Sequence, residues 1–190
     1  MKKSLFLVFV VFSFFLSSAA FAADTKGYFA LKGGIFTPND KTDGMKGFDN
    51  GTNFEAVYGM KVHPNITLEF GAGYYEAKEK VLDLTGSAIP LTLTAFVNLP
   101  LGSVIDLNVG AGAGYYFTKI KGVAVSKEVS DVGYQLVGGV DFKIGPAISI
   151  GAEAKYVYVN PEYDFTSTGG DKSKVEMGGM MYNAVLKFKF

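Results

Sequence analysis

The amino-acid sequence predicts an all-β protein: an eight-stranded antiparallel up-and-down transmembrane β-barrel. Three observations support this prediction. Apolar and polar residues alternate along segments of about ten residues, which is the period and length of a membrane-crossing strand. Short turns and long polar connections alternate between these segments. Glycine and aromatic residues are both abundant, with 24 Gly, 11 Tyr and 17 Phe among 190 residues.

The first 23 residues have the pattern of a secretory signal peptide. Two lysines precede an apolar stretch over residues 5–16, and small residues at positions 20 and 22 form a cleavage pattern. The apolar stretch is shorter than the roughly 20 residues that a membrane-spanning helix needs. We therefore expect export, cleavage after Ala22 or Ala23, and a single barrel domain over residues 24–190.

Eight segments with strand periodicity follow. In the clearest one every second residue from Ile148 to Tyr158 is apolar, and the residues between them are mainly polar or Gly. The first segment has the least regular alternation. The predicted strands cover residues 27–36, 54–61, 67–75, 91–99, 105–117, 131–143, 148–158 and 175–190.

The connections between these strands differ in length in a regular way. Pro, Gly and Asn mark tight turns near residues 63–65, 100–102 and 144–146. Longer polar connections are predicted at residues 37–51, 78–87, 120–128 and 160–173. Short turns at one end and long loops at the other are the layout of an outer-membrane barrel. With an even number of strands, both chain ends are expected on the short-turn, periplasmic side.

A soluble barrel also has alternating strands, so other features must decide between the two. The predicted strands are longer than the roughly 5–6 residues typical of soluble proteins. Aromatic residues gather near strand ends, as in the girdles of a membrane barrel. The polar face is rich in Gly and carries few charges, which suits a narrow lumen rather than a water-exposed surface.

Several stretches resemble the small outer-membrane β-barrel families of Gram-negative bacteria. These are the signal segment, residues 90–94 (PLTLT), residues 110–116 (GAGAGYY) and the last strand, which ends in Phe190. The OmpW-like and OmpA/OmpX-like eight-stranded barrels are the most similar. The resemblance implies that Tyr182, Phe188 and Phe190 form the signal read by the barrel-assembly machinery. It also implies contact with outer-membrane lipid and lipopolysaccharide.

The polar face places charged side chains in the lumen. Buried charges are costly unless they pair, so we expect a salt-bridge network that plugs the barrel. By parity, its members are Lys32, Glu55, Lys61, Glu69, Asp106, Asp141, Lys143, Glu153, Lys155 and Lys187. The alternative is a gate or a path for small solutes, because inward glycines leave space. These are Gly59, Gly71, Gly73, Gly110, Gly112, Gly114 and Gly151. In an OmpW-like barrel such space would hold a small hydrophobic ligand, with Tyr75 and Tyr116 as possible contacts; they could equally fill the space.

The sequence offers no catalytic or cofactor site. His63, the one histidine, lies in a predicted periplasmic turn, far from the outer rim where barrel enzymes work. Without a base no serine can form a triad, so we expect no enzyme activity. The acidic loop residues match no calcium-loop spacing, so no metal site is expected. A net charge of zero without arginine also argues against nucleic-acid binding.

The predicted role is that of a structural or passive outer-membrane protein with surface-exposed loops. One alternative is OmpW-like passage of small hydrophobic molecules across the outer membrane. Another is an adhesin or receptor that acts through the extracellular loops at residues 37–51 and 160–173. We expect a monomer without a cofactor.

Overall fold

The computed structural model describes residues 27–39, 45, 47–79, 83–122, 126–164 and 172–190. The predicted signal peptide, residues 1–23, lies outside this part of the chain. Ten strands occur in the described residues. They are β1 (Gly27–Pro38), β2 (Gly51–His63), β3 (Ile66–Glu79), β4 (Leu84–Leu101), β5 (Ile105–Lys121), β6 (Ser126–Lys143), β7 (Ile148–Tyr158), β8 (Glu162–Asp164), β9 (Lys172–Lys174) and β10 (Gly179–Lys189).

Eight of the strands form one closed antiparallel barrel, which confirms the predicted fold class. Strands β1 to β7 each pair with their neighbour in sequence, and β10 closes the sheet between β7 and β1. The closing register places Tyr28 opposite Lys189 and Phe36 opposite Met181. The barrel therefore has no free strand along its closing seam. No helix in the described part of the chain is long and apolar enough to cross a membrane.

The predicted alternation of faces is visible along β5. Val109 is 59% exposed on the outer wall, whereas its neighbour Asn108 is 6% exposed inside the barrel. Large apolar side chains are exposed along the outside of the other barrel strands too. Outward aromatic residues lie toward both ends of the wall, such as Tyr115 and Tyr134 at one end and Phe188 at the other. The outside of this barrel is apolar and its inside is polar at mid-height, the reverse of a soluble barrel.

The two ends of the barrel differ in their connections. The β2–β3, β4–β5 and β6–β7 connections are tight turns, and they lie at the same end as Gly27 and Phe190. The connections after β1, β3, β5 and β7 lie at the other end, referred to here as the long-loop end. The sequence predicted this division of short turns and longer connections.

Two of the predicted loops are mainly strand. Residues 78–87 and 120–128 were expected to be loops, but β3 continues to Glu79, β4 begins at Leu84, β5 continues to Lys121 and β6 begins at Ser126. These strand ends extend beyond the length needed to cross a bilayer. Their inner faces stay covered, since Ala77 and Ala88 are each 1% exposed, but their outer faces meet water. Apolar residues therefore no longer mark the outer face, and the composition resembles that of a loop.

The connection over residues 160–173 contains structure that the sequence analysis did not predict. Strands β8 and β9 pair as a short hairpin, with Tyr163 opposite Ser173. The last barrel strand was expected from residue 175 but begins at Gly179. Residues 175–178 instead lie against the chain that leaves β7, because the amide of Met177 donates to the carbonyl of Val159 at 3.0 Å.

Candidate functional site in the barrel lumen

The middle of the lumen is filled by a cluster of paired charges, referred to here as the central cluster (Lys32, Glu55, Glu69, Glu153 and Lys155). Lys32 Nζ lies 2.6 Å from Glu69 Oε1 and 2.7 Å from Glu153 Oε2. Lys155 pairs with Glu55, and its Nζ is 3.9 Å from Glu153 Oε1. All five side chains are buried. Glu153 contacts both lysines, so the four ion pairs form one network.

A second group of charges lies between the central cluster and the short-turn end. Lys187 Nζ is 2.6 Å from Asp141 Oδ2, which also accepts a hydrogen bond from Asn108 Nδ2 at 2.7 Å. The ring of Tyr28 lies beside this pair, with Lys187 Nζ 4.9 Å from the ring centroid. The Tyr28 hydroxyl donates to Glu69 at 2.8 Å. Tyr28 therefore links the Lys187–Asp141 pair to the central cluster.

The remaining predicted network members lie nearer the short-turn mouth. Lys143 Nζ is 2.7 Å from Asp106 Oδ1, and both side chains are partly exposed. Lys61 is exposed and is not part of the buried network. The prediction that Lys61 joins the network is therefore wrong. The reason is its position: Lys61 lies two residues before the end of β2 and is exposed at the short-turn mouth.

The long-loop end of the lumen is closed by apolar side chains, referred to here as the cap. Tyr75 and Tyr116 are each 1% exposed and belong to it. From the sequence these tyrosines could either line a ligand space or fill it, and in this structure they are packed inside the cap. The other buried members of the cap are Phe36, Met45, Ala77, Ala88, Val157, Val159, Tyr163, Met177 and Met181.

Loop residues hold the cap in place. The Tyr163 hydroxyl donates to Thr118 Oγ1 at 2.7 Å and lies 2.9 Å from Met177 Sδ. The Tyr75 hydroxyl donates to the carbonyl oxygen of Met177 at 3.0 Å. Tyr163 lies in β8, outside the barrel wall, and burial raises its pKa to about 12 because the charged phenolate is poorly solvated there. No sequence signal pointed to Tyr163 and Met177 as lumen-closing residues, because Tyr163 lies in a predicted loop and Met177 was predicted to lie in the last barrel strand.

The inward glycines accommodate neighbouring side chains. A Cβ on Gly59 would lie 2.2 Å from Tyr28 Cζ, and one on Gly110 would lie 2.7 Å from Phe96 Cδ1. The space that the sequence analysis assigned to a possible solute path is occupied at these two positions by aromatic rings. A cavity of about 10 Å³ lies between the central cluster and the cap, next to Asn53, Glu55 and Tyr116. This is roughly the volume needed for one water molecule.

The three C-terminal aromatic residues lie on the outer wall. Tyr182 is 54% exposed and Phe188 is 44% exposed. Phe190 exchanges two backbone hydrogen bonds with Gly27, at 3.1 and 3.2 Å. Its ring centroid is 5.6 Å from that of Phe29. Phe190 therefore joins the two ends of the chain at the closing seam.

Comparison with known proteins agrees with this architecture. Residues 8–190 match the family model described as "Outer membrane protein beta-barrel domain". The structure is similar to that of Neisserial surface protein A, with a TM-score of 0.60 and 14% identity over 87% of this chain and 96% of that chain. It is also similar to the N-terminal β-barrel domain of Pseudomonas aeruginosa OprF, with a TM-score of 0.55 and 12% identity over 88% and 98% of the two chains.

A third similar structure is the outer membrane protein AlkL in lipid bilayers, with a TM-score of 0.51 and 14% identity over 87% of this chain and 90% of that chain. At these identities the similarity describes the fold. No curated protein matches the chain. The family match covers nearly the whole sequence, and the closed eight-stranded barrel has the architecture that the family name describes. The chain therefore belongs to the outer-membrane protein β-barrel domain family and is an outer-membrane β-barrel protein.

Proposed function

We propose that this protein is a structural outer-membrane barrel that does not conduct solutes and that displays its loops at the cell surface. One observation supports the proposal most strongly: two different layers close the lumen. The central cluster fills the middle with paired charges, and the cap fills the long-loop end with apolar side chains. The cavity between them has room for about one water molecule.

The orientation is part of the proposal. The chain is exported through a cleaved signal peptide, and both ends of the barrel domain lie in the periplasm. The tight turns support this orientation, because they lie at the same end as Gly27 and Phe190, and outer-membrane barrels have short periplasmic turns. The longer connections and the β8–β9 hairpin then face the outside, where they meet lipopolysaccharide.

We also propose that the barrel-assembly machinery recognises Tyr182, Phe188 and Phe190. Their outward exposure makes them accessible to a partner before the barrel closes against lipid.

No catalytic role is proposed. His63 is exposed at the end of β2, on the short-turn side. A general base must lie within hydrogen-bond reach of its nucleophile, and the proposed outer surface is at the other end of the barrel.

Liposome swelling tests the proposal. Vesicles that contain the refolded protein are diluted into isotonic solutions of glycerol or small sugars, and light scattering reports the entry of solute. We expect swelling at the rate of protein-free vesicles. Swelling that increases with the amount of folded protein and decreases with solute size would show an open pore and overturn the proposal. Uptake of small apolar molecules alone would favour the passage alternative, in which the cap must move.

A second candidate function is that of an adhesin or receptor. The anchored β8–β9 hairpin supports it, because Tyr163 and Met177 fix the base of this connection to the barrel mouth. A rigid base reduces the entropy lost when a loop binds a partner. Replacing residues 165–171, which follow β8 and precede β9, with a short Gly-Ser linker tests this role and keeps Tyr163: cell-surface binding should decrease while the barrel still assembles. Unchanged binding would exclude residues 165–171 as the contact.

A further inference from the structure

The barrel wall contains one break between β3 and β4. The register is the same on both sides of it, so no residue is inserted or bulged. Two residue pairs are nevertheless missing from the ladder: Gly73 opposite Pro90, and Tyr74 opposite Ile89. The break lies toward the long-loop end of the wall, where β3 continues to Tyr75 and on to Glu79.

Pro90 explains the position of the break, because proline has no backbone N–H. In an antiparallel ladder, both missing pairs require a hydrogen bond from the nitrogen of residue 90 to the carbonyl oxygen of Gly73. The ladder between β4 and β5 is continuous through Pro90 and Tyr116, so the missing donor belongs to the β3 side. The Gly73 carbonyl has therefore lost its ladder donor. A carbonyl without a donor is costly in a membrane-spanning wall, where lipid offers none.

A second polar group nearby also lacks a partner. Asn53 is 8% exposed, and its side-chain Nδ2 has no hydrogen-bond partner among the described residues. Asn53, Gly73 and Pro90 all line the same cavity of about 10 Å³. The cavity is therefore lined by an unpaired donor, Asn53 Nδ2, and by the residue whose carbonyl has lost its ladder donor, Gly73.

We propose that this cavity is a hydroxyl-binding site on the lumen side of the β3–β4 break. One hydroxyl group donates to the Gly73 carbonyl oxygen and accepts from Asn53 Nδ2, and so satisfies both groups at once. The cavity has the size of one such group. Phe54 and Tyr74, which are 55% and 42% exposed on the outer wall, also line it. The hydroxyl therefore comes either from water or from a membrane amphiphile whose alkyl chain lies on the outer wall beside Tyr74, at the β3–β4 break.

The first experiment uses NMR on the isotope-labelled, refolded protein in dodecylphosphocholine, a detergent without a hydroxyl group. We expect a cross-peak between the Asn53 side-chain amide and a bound hydroxyl proton. The Asn108 side-chain amide is the internal control, because it is buried and donates to Asp141 at 2.7 Å. Absence of the Asn53 cross-peak, with and without added octan-1-ol, would overturn the proposal.

Titration with octan-1-ol then distinguishes the two sources. Cross-peaks from the Asn53 amide to the alkyl protons of octanol would identify the amphiphile. An Asn53–hydroxyl cross-peak that octanol does not change would identify water. Each result supports a hydroxyl site and assigns its occupant.

Pro90→Ala tests the origin of the site. The new amide of residue 90 should donate directly to Gly73, which a scalar coupling across the hydrogen bond between the residue 90 nitrogen and the Gly73 carbonyl carbon would detect. The hydroxyl then loses its acceptor, so the Asn53–hydroxyl cross-peak should weaken or disappear. A folded variant that lacks the coupling would show that the Gly73 carbonyl is not the group left without a donor, and would overturn the proposal. The wild-type measurement stands by itself if the variant does not fold.

Discussion

Replacing Lys32 with methionine should strongly destabilise the barrel. The methionine side chain retains much of the apolar stem but removes the ammonium group that bridges Glu69 and Glu153. The Lys32 side chain is 0% exposed, and the two carboxylates are 4% and 7% exposed, so water cannot replace the lost partner. Removing one partner of a buried ion pair costs about 3–5 kcal/mol. This corresponds to a decrease in the folding equilibrium constant of at least about 100-fold.

The assay is reversible urea unfolding in lipid vesicles. Because the chain has no tryptophan, unfolding is followed by far-ultraviolet circular dichroism and by the gel mobility of the folded barrel. Lys119→Met is the matched control, because Lys119 pairs with Glu128 at 2.6 Å but these side chains are 40% and 70% exposed. An exposed pair contributes about 0–1 kcal/mol. The Glu128 pKa is lowered by its hydrogen bond with Lys119, so the small stabilisation from this pair is present at neutral pH and lost in acid.

Equal destabilisation by Lys32→Met and Lys119→Met would refute the reasoning that the central cluster is a buried, mutually dependent network. A second variant checks the cause. Lys32→Met combined with Glu69→Gln and Glu153→Gln removes the uncompensated charges, and we expect it to recover part of the lost stability. No recovery would indicate that the packing of the lysine, rather than its charge, stabilises the barrel.

Three further predictions concern the wall, the lumen and the cap. Ala111→Arg places a charge on the outer wall and should cost up to about 2–4 kcal/mol in vesicle unfolding; an unchanged midpoint would mean that this face does not meet lipid. Gly59→Ala should displace the Tyr28 ring and cost about 1–3 kcal/mol, whereas Gly138→Ala, which meets no atom within 4 Å, should be nearly neutral in the same assay. The Tyr163 phenol should ionise near pH 12, as measured by the difference in absorbance between wild type and Tyr163→Phe. The stability that the buried neutral phenol contributes is then present below about pH 10 and lost between about pH 10 and 12. A titration midpoint near about pH 10 would show that the cap does not bury Tyr163.

The architecture was predictable because the period of a strand is two and a membrane barrel buries its polar side. The alternation around Asn108 and Val109 therefore assigned faces without knowledge of the pairing. The same logic failed at Leu84 and Ser126, where strands extend beyond the membrane. There the outer wall meets water, so apolar residues no longer mark one face.

The pairings across the lumen were not predictable from the sequence. Parity places Lys32, Glu69 and Glu153 inside, but it does not say which strand faces which at a given height. The height of each side chain depends on the stagger of the strands in the closed barrel. This stagger brings Lys32 on β1 within hydrogen-bond distance of Glu69 on β3 and Glu153 on β7. The cap was missed for a related reason: Tyr163 and Met177 reach the lumen by tertiary packing of a connection, which leaves no periodic signal.

The central claim is that the lumen is closed, and single-channel recording in planar lipid bilayers tests it most directly. The refolded protein is added at low density, with a general porin recorded under the same conditions to prove that openings are detectable. The account predicts a silent membrane over the full range of applied voltage, even when gel mobility shows that the protein is folded. Stable conductance steps of constant size that scale with protein density would contradict the account, because in the described part of the chain paired charges fill the middle of the lumen and apolar side chains fill its long-loop end.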